Sequence, residues 1–215
     1  MAKEKTTIEQ ANNVFFSTGC KQIDEILNTE LKRGKLTLIY GKRGTGKTYI
    51  AMQCSYQFAR REKKVFFIDS NNTFSTNRLI TIAGNEINTV STYIFICKPQ
   101  TFEEQTQLIA NLWNYNLNNI ALIILDSATT LYRLDLDETS VFKLNMELNW
   151  QLAYLNELAK IYNIPILITS SVNTIIDNTL TKIQPIAQRV VEFWSQNVIY
   201  LQETSNILTK KNFCT

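Results

Sequence analysis

The sequence predicts an α/β domain: a mostly parallel central sheet flanked by helices on both faces, with a closing antiparallel strand pair. Two observations carry this. Short apolar runs recur along the chain, at residues 35–40, 64–69, 93–97, 120–126 and 165–169. Between them lie longer stretches without Gly or Pro, or with apolar residues at spacing three or four, the period of a helix with one buried face. The run Ile120-Ala121-Leu122-Ile123-Ile124-Leu125 is apolar at successive positions. Both of its faces are therefore expected to be covered, as in a parallel sheet between helices.

Each element follows from local residues. Residues 1–16 are polar and then apolar and read as a loosely docked N-terminal arm. Ser17 or Thr18 is expected to cap a helix over 21–27. The strand at 35–40 is followed by a helix to about residue 61, and the strand at 64–69 by a polar loop, 70–74. A helix over 75–83 is stopped by Gly84. Thr101 and Glu104 form a capping box that opens a helix to about residue 115. The long helix over 139–162 is expected to bury Val141, Leu144, Leu148, Leu152, Leu155 and Ala159. A polar connection fills 170–185, and strands over 197–202 and 207–211 close the chain. No linker, repeat or low-complexity segment divides residues 1–215, so one domain is expected.

Composition excludes several classes. The chain is 45% hydrophobic, enough for a core. No apolar run reaches the roughly 18 residues of a membrane span. The start, Met1-Ala2-Lys3-Glu4-Lys5, is charged and no apolar signal core follows. Cys20, Cys54, Cys97 and Cys214 are scattered without a CxxC pair and read as free thiols in a reducing cytoplasm. Histidine is absent. That removes Ser-His-Asp and Cys-His nucleophilic schemes and most zinc chemistry. A net charge of +3 gives only a slight bias toward an anionic partner.

The chemistry is concentrated in Gly41-Lys42-Arg43-Gly44-Thr45-Gly46-Lys47-Thr48, which fits GxxxxGK[ST] without mismatch. Gly41, Gly44 and Gly46 are expected to adopt backbone angles closed to other residues, so that successive N–H groups form an anion nest. A helix starting near Lys47 turns its positive end to the phosphates. Lys47 is expected to reach the β and γ oxygens of a polyphosphate and the Thr48 hydroxyl to ligate Mg2+. Asp126, at the end of its strand, is the expected metal-side acid, acting through water; the alternative is an Asp that only caps the next turn through Ser127.

These stretches carry a resemblance. STGCKQIDEIL, IYGKRGTGKT, VFFIDS, FEEQ, LDSATTLYRL and VEFWS, in this order, resemble the RecA-like ATPases, and within them the archaeal RadB proteins. Only 40 residues precede the loop, where RadA would carry a further helical domain. The resemblance implies a RecA-like P-loop NTPase core that binds ATP and Mg2+ and hydrolyses ATP feebly. It also implies DNA binding without strand exchange, in an accessory role in homologous recombination and DNA repair.

The departures from the family pattern are specific. After the second strand the family reads IDTE, with a glutamate that polarises water; here the run is Ile68-Asp69-Ser70-Asn71. Asn71 can orient water but cannot take its proton. Asp69 is the alternative base, or else an acid that fixes the loop. Ser171 stands where the family has a Gln that senses the γ-phosphate. Ala187-Gln188 and Asn28-Thr29-Glu30 replace glycine runs. The binding parts are intact and the coupling parts are eroded.

DNA contacts are harder to place. The two central loops, 134–140 and 172–184, carry Asp135, Asp137 and Glu138 in the first and Lys182 as the sole cation of the second. Basic residues gather instead at Arg60-Arg61 with Lys63-Lys64 and at Lys210-Lys211. Phe193-Trp194 read as core rather than as a base-stacking platform. No Phe-x-x-Ala segment links subunits, since Phe15 and Phe16 are followed at the third position by Thr18 and Gly19; an autonomous filament is not expected. The expected partners are DNA, bound weakly and without sequence preference, and a RadA recombinase or junction nuclease. Two functions remain open: a nucleotide-gated recombination accessory, and an actively hydrolysing ATPase of the RecA motor or KaiC-like signalling type.

Overall fold

The computed structural model describes residues 17–28, 30–115, 117–137, 139–177, 180–202 and 208–211. The N-terminal arm and Cys214 lie outside them. Seven strands form one sheet in the order β3-β2-β4-β5-β1-β8-β9. They are β1 (Leu36–Gly41), β2 (Lys64–Ile68), β3 (Ile94–Cys97), β4 (Ile120–Leu125), β5 (Ile166–Ser170), β8 (Asn197–Leu201) and β9 (Leu208–Lys211). The first six in spatial order are parallel, and β9 pairs antiparallel with β8. The expected α/β class and closing pair are thus found. β6 (Val172–Asp177) and β7 (Leu180–Pro185) form a separate antiparallel hairpin within the stretch read as a polar connection.

Two apolar layers clasp the sheet. On one face α1 (Lys21–Leu27), α2 (Lys47–Ala59), α3 (Thr76–Ala83) and α4 (Ile87–Ser91) cover Ile39, Phe67, Ile124 and Leu167. On the other α5 (Phe102–Ala110), α6 (Thr130–Leu134), α7 (Val141–Tyr162) and α8 (Gln188–Trp194) cover Leu38, Phe66, Ile123 and Ile168. Along β2, β4, β5 and β8 alternate residues feed opposite layers, so both faces of these strands are covered. Among the described residues no helix is long and apolar enough to cross a membrane.

Local signals explain most boundaries. Thr101 Oγ1 accepts from the Glu104 N–H at 3.1 Å, while Glu104 Oε2 reaches back to the Gln100 N–H at 2.7 Å. Gly84 at φ +53° ends α3. The start of α1 differs from expectation: its N-cap is Cys20, without a side-chain bond. Asp24 instead folds back to accept from the Ser17 hydroxyl at 2.5 Å and from the N–H and hydroxyl of Thr18, each at 2.7 Å. The stripe expected along α7 is buried from Leu144 to Ala159, but Val141, at the helix start, is 40% exposed. Phe193 is 74% exposed and is not core, and the Trp194 indole donates to Asn149.

The two stretches expected to replace glycine runs each hold a left-handed residue. Asn28 closes α1 at φ +56° and Ala187 precedes α8 at φ +51°. Both sit in the left-handed region, which favours glycine and tolerates asparagine better than alanine.

Candidate nucleotide site

The site lies across the carboxyl ends of β1, β4 and β2, where open α/β sheets hold their ligands. The loop leaves β1 and enters α2, which begins at Lys47 with Gly46 as its N-cap. Gly44 and Gly46 take φ of +89° and +92°. Gly41 is needed for a different reason than backbone freedom. A Cβ there would stand 2.5 Å from the Leu201 carbonyl oxygen and 2.8 Å from the Thr45 hydroxyl, so close approach of β8 excludes a side chain. Lys42 and Arg43 are exposed.

The buried Lys47 ammonium donates to the carbonyls of Gly41 at 2.8 Å and Lys42 at 2.7 Å. Burial pushes its pKa down, and the Asp126 carboxylate opposes that shift. Phosphate oxygens offer Lys47 hydrogen bonds with full negative charge added, so exchange of partners favours a bound polyphosphate.

Asp126 follows β4 and is fully buried. Its Oδ1 accepts from the Thr169 hydroxyl, on the neighbouring β5, and from the Asn71 amide at 3.3 Å. Its Oδ2 has no partner among the described residues. Burial raises the pKa of Asp126, while the hydrogen bond from Thr169 and the nearby Thr48 hydroxyl pull it back. A buried carboxylate oxygen without a donor is costly. A hard cation, or a water held by one, satisfies it. The hydroxyl of Thr48 and the open oxygen of Asp126, beside the phosphate loop, form an all-oxygen donor set that suits Mg2+. When bound, the ion neutralises charge on the phosphates.

Asn71 is tied on both sides. Its Nδ2 donates to Asp126 Oδ1, its Oδ1 accepts from the Thr130 hydroxyl, and its main-chain N–H donates to the Asp126 carbonyl at 3.1 Å. The Thr130 hydroxyl also lies 2.8 Å from that of Ser127. Asp69 is fully buried and both of its oxygens are engaged. Oδ1 accepts from the Thr73 N–H at 3.0 Å, Oδ2 from the Phe74 N–H at 2.9 Å, and the Lys98 ammonium stands 3.6 Å from Oδ2. This geometry folds the 70–74 loop so that the Thr73 hydroxyl stands 3.4 Å from that of Thr48. The Ser171 carbonyl accepts from the Ser170 hydroxyl at 2.9 Å and the Ile186 N–H at 3.0 Å.

The fold therefore gathers Gly41 to Thr48, Asp69, Asn71 and Asp126 at one end. It also brings Thr73, Lys98, Thr130 and Thr169 there, which no motif in the sequence singled out. Other expected residues lie elsewhere. Arg60, just past α2, pairs with Glu86 at 3.5 Å and packs over Tyr56; Arg61 donates to the Gln57 carbonyl. Lys210 and Lys211 stand on β9 opposite Ile199 and Val198, and their side chains, like that of Lys182, lie outside the described residues. In the first central loop Asp137 accepts from the Thr139 hydroxyl and from the N–H groups of Ser140 and Thr139, and these bonds, the hydroxyl's foremost, lower its pKa.

Comparison with known proteins agrees with this arrangement. The Rad51 family model matches residues 9–207, which spans β1 to β8. A DNA repair and recombination protein RadB of Methanococcoides burtonii is 34% identical over 188 residues, covering 87% of this chain and 82% of the relative. The protein of the same name from Methanosphaera stadtmanae is 29% identical over 208 residues, or 96% and 88% of the two chains. That of Methanococcus maripaludis is 32% identical over 187 residues, or 86% and 84%. This chain belongs to the Rad51 family of RecA-like proteins and is of the RadB type.

Proposed function

We propose that the protein is an ATP-binding accessory of homologous recombination and DNA repair, in which ATP acts as a persistent ligand and hydrolysis is incidental. The repair and recombination role is the one its relatives' names carry. One observation supports the persistent-ligand reading most. The position that holds a water-polarising glutamate in the family pattern holds Asn71, an amide that cannot take a proton from water, and each polar end of its side chain bonds a neighbour, Asp126 or Thr130.

In this reading Gly41 to Thr48 hold the phosphates, Thr48 ligates Mg2+ directly, and Asp126 does so through water. Asp69 positions the 70–74 loop rather than taking a proton, since two N–H groups and Lys98 occupy its oxygens. ATP binding then changes the affinity of the protein for weakly bound DNA and for a RadA recombinase or junction nuclease. The protein acts without building a filament of its own.

A steady-state ATPase assay with and without single-stranded DNA, beside equilibrium ATP binding, tests this. The expected result is tight Mg2+-dependent binding with slow turnover that DNA does not stimulate. Turnover at a motor rate, stimulated by DNA, would put an actively hydrolysing ATPase in its place.

A further inference from the structure

At the end of the sheet opposite the nucleotide, the fold joins turns far apart in sequence. Those before β1 and β2 carry Arg33, Lys63 and, at the strand start, Lys64; those before β4 and β5 carry Asn119 and Asn163. With Tyr162 they line a cleft of about 510 Å³, in which Glu62 is the only acid among the described residues. Among the described residues no carboxylate pairs with Lys63 or Lys64. Lys64 places its ammonium 5.8 Å above the Phe95 ring.

An aromatic ladder starts at the same cleft. Tyr162 meets Trp113 with ring centroids 5.6 Å apart, and Trp113 meets Tyr154 edge-on at 5.9 Å. Tyr154 in turn stacks on Trp150 at 5.1 Å with 27° between the planes. Three of the rings belong to α7 and the fourth to the turn after α5. Trp113 and Trp150 are 39% and 42% exposed, although either could have been buried at a gain of free energy.

We infer that the cleft and the ladder together form a binding face for single-stranded nucleic acid. Cations take the phosphates, and partly exposed rings take unstacked bases, the two requirements of sequence-tolerant single-strand binding. A duplex keeps its bases stacked and offers the rings nothing. An acidic polypeptide would satisfy the lysines and leave the ladder unused. The inference rests on the DNA-binding reading above and gives it a location. It moves the DNA-binding surface from Arg60, which Glu86 engages, and from β9 to Lys63 and Lys64, on the pole opposite the phosphate loop.

The test is titration of a fluorescent oligothymidylate with the full chain at several salt concentrations. It compares wild type, Lys63→Glu/Lys64→Glu, Trp150→Ala and Lys210→Glu/Lys211→Glu. The expected result is at least about a tenfold loss for the Lys63/Lys64 variant. The slope of log affinity against log salt should also fall, by about 0.7 for each phosphate that the variant no longer neutralises. Trp150→Ala weakens binding with the slope unchanged, and oligothymidylate quenches the tryptophan emission of the wild type. An unchanged melting temperature and ATP affinity in the lysine variant excludes misfolding. Wild-type DNA binding that survives Lys63→Glu/Lys64→Glu, or is lost only in the Lys210/Lys211 variant, overturns the cleft while leaving DNA binding in place. Equal affinity for duplex without quenching, or displacement by polyglutamate as effective as by oligonucleotide, overturns it too. No wild-type binding at low salt removes both readings.

Discussion

At the end of β1 the phosphate loop presents main-chain N–H groups and glycines, and its buried side chain, Lys47, bonds carbonyls that it can leave. At the ends of β2 and β4, Asn71, Asp126, Thr130 and Thr169 are bonded to one another. The first region is arranged toward a ligand and the second toward itself, except for Asp126 Oδ2. Holding a nucleotide requires N–H groups and a cation, whereas hydrolysing it requires a base beside a positioned water. The two demands fall on different strands, so a chain can keep one and lose the other.

Removing the ligand-directed side should have the largest effect. Lys47→Ala is expected to lower ATP affinity about a hundredfold, the loss of charge-assisted hydrogen bonds of about 1.5–3 kcal/mol in total. Calorimetric titration and a melting curve check this; the melt should shift little, because Lys47 contributes charge rather than core packing. Normal ATP affinity in the folded variant would remove the phosphate-loop assignment.

Asp126→Asn probes the group shared by both regions. The expected result is a roughly tenfold loss of the Mg2+-dependent part of ATP binding, as one charge leaves the cation's surroundings. The nucleotide-free protein should become more stable. Burial raises the folded-state pKa of Asp126, so its contribution to stability is fully present below the unfolded carboxylate pKa. That contribution is lost as pH rises through the raised folded value. Wild-type stability measured by denaturant should therefore fall across that window, and the Asn variant should lack this component. Mg2+ affinity has the opposite trend, weakening as pH falls and the carboxyl is protonated.

The smallest effect concerns scaffold. Ala187→Gly should stabilise the protein by about 1 kcal/mol, by relieving an alanine held at left-handed angles, seen as a rise of about 2–4 °C in Tm. A fall in Tm would mean that the flexibility of glycine in the unfolded chain outweighs the strain.

Much of this was legible in the sequence, for physical reasons. A strand buried on both faces must be apolar throughout, and this exposed β1, β2, β4 and β5. The loop at 41–48 is legible because few residue orders can cradle a phosphate. What escaped reading was non-local or mixed. β6 and β7 pair with each other rather than with the large sheet, so no apolar run marks them. In α8, Val191 packs into the core while Phe193, two positions on, faces solvent. Gln105 and Gln151 resemble a polar helix face, yet both are buried and bonded to each other at 2.7 Å across α5 and α7. Thr130 is 59 residues from Asn71, and nothing in either stretch announces the pair.

The central claim is that hydrolysis is limited at Asn71 while binding is not. Single-turnover hydrolysis by wild type and by Asn71→Glu, with Mg2+ and protein in excess over ATP, tests it most directly. A positioned carboxylate contributes about 10²–10⁴-fold. The gain should be smaller, about tenfold or more, since in the proposed reading Ser171 replaces the family's γ-phosphate-sensing Gln. ATP affinity should change little. A wild type that already turns over at an ordinary RecA-like rate would contradict the account and assign the base to another residue, with Asp69 the first suspect.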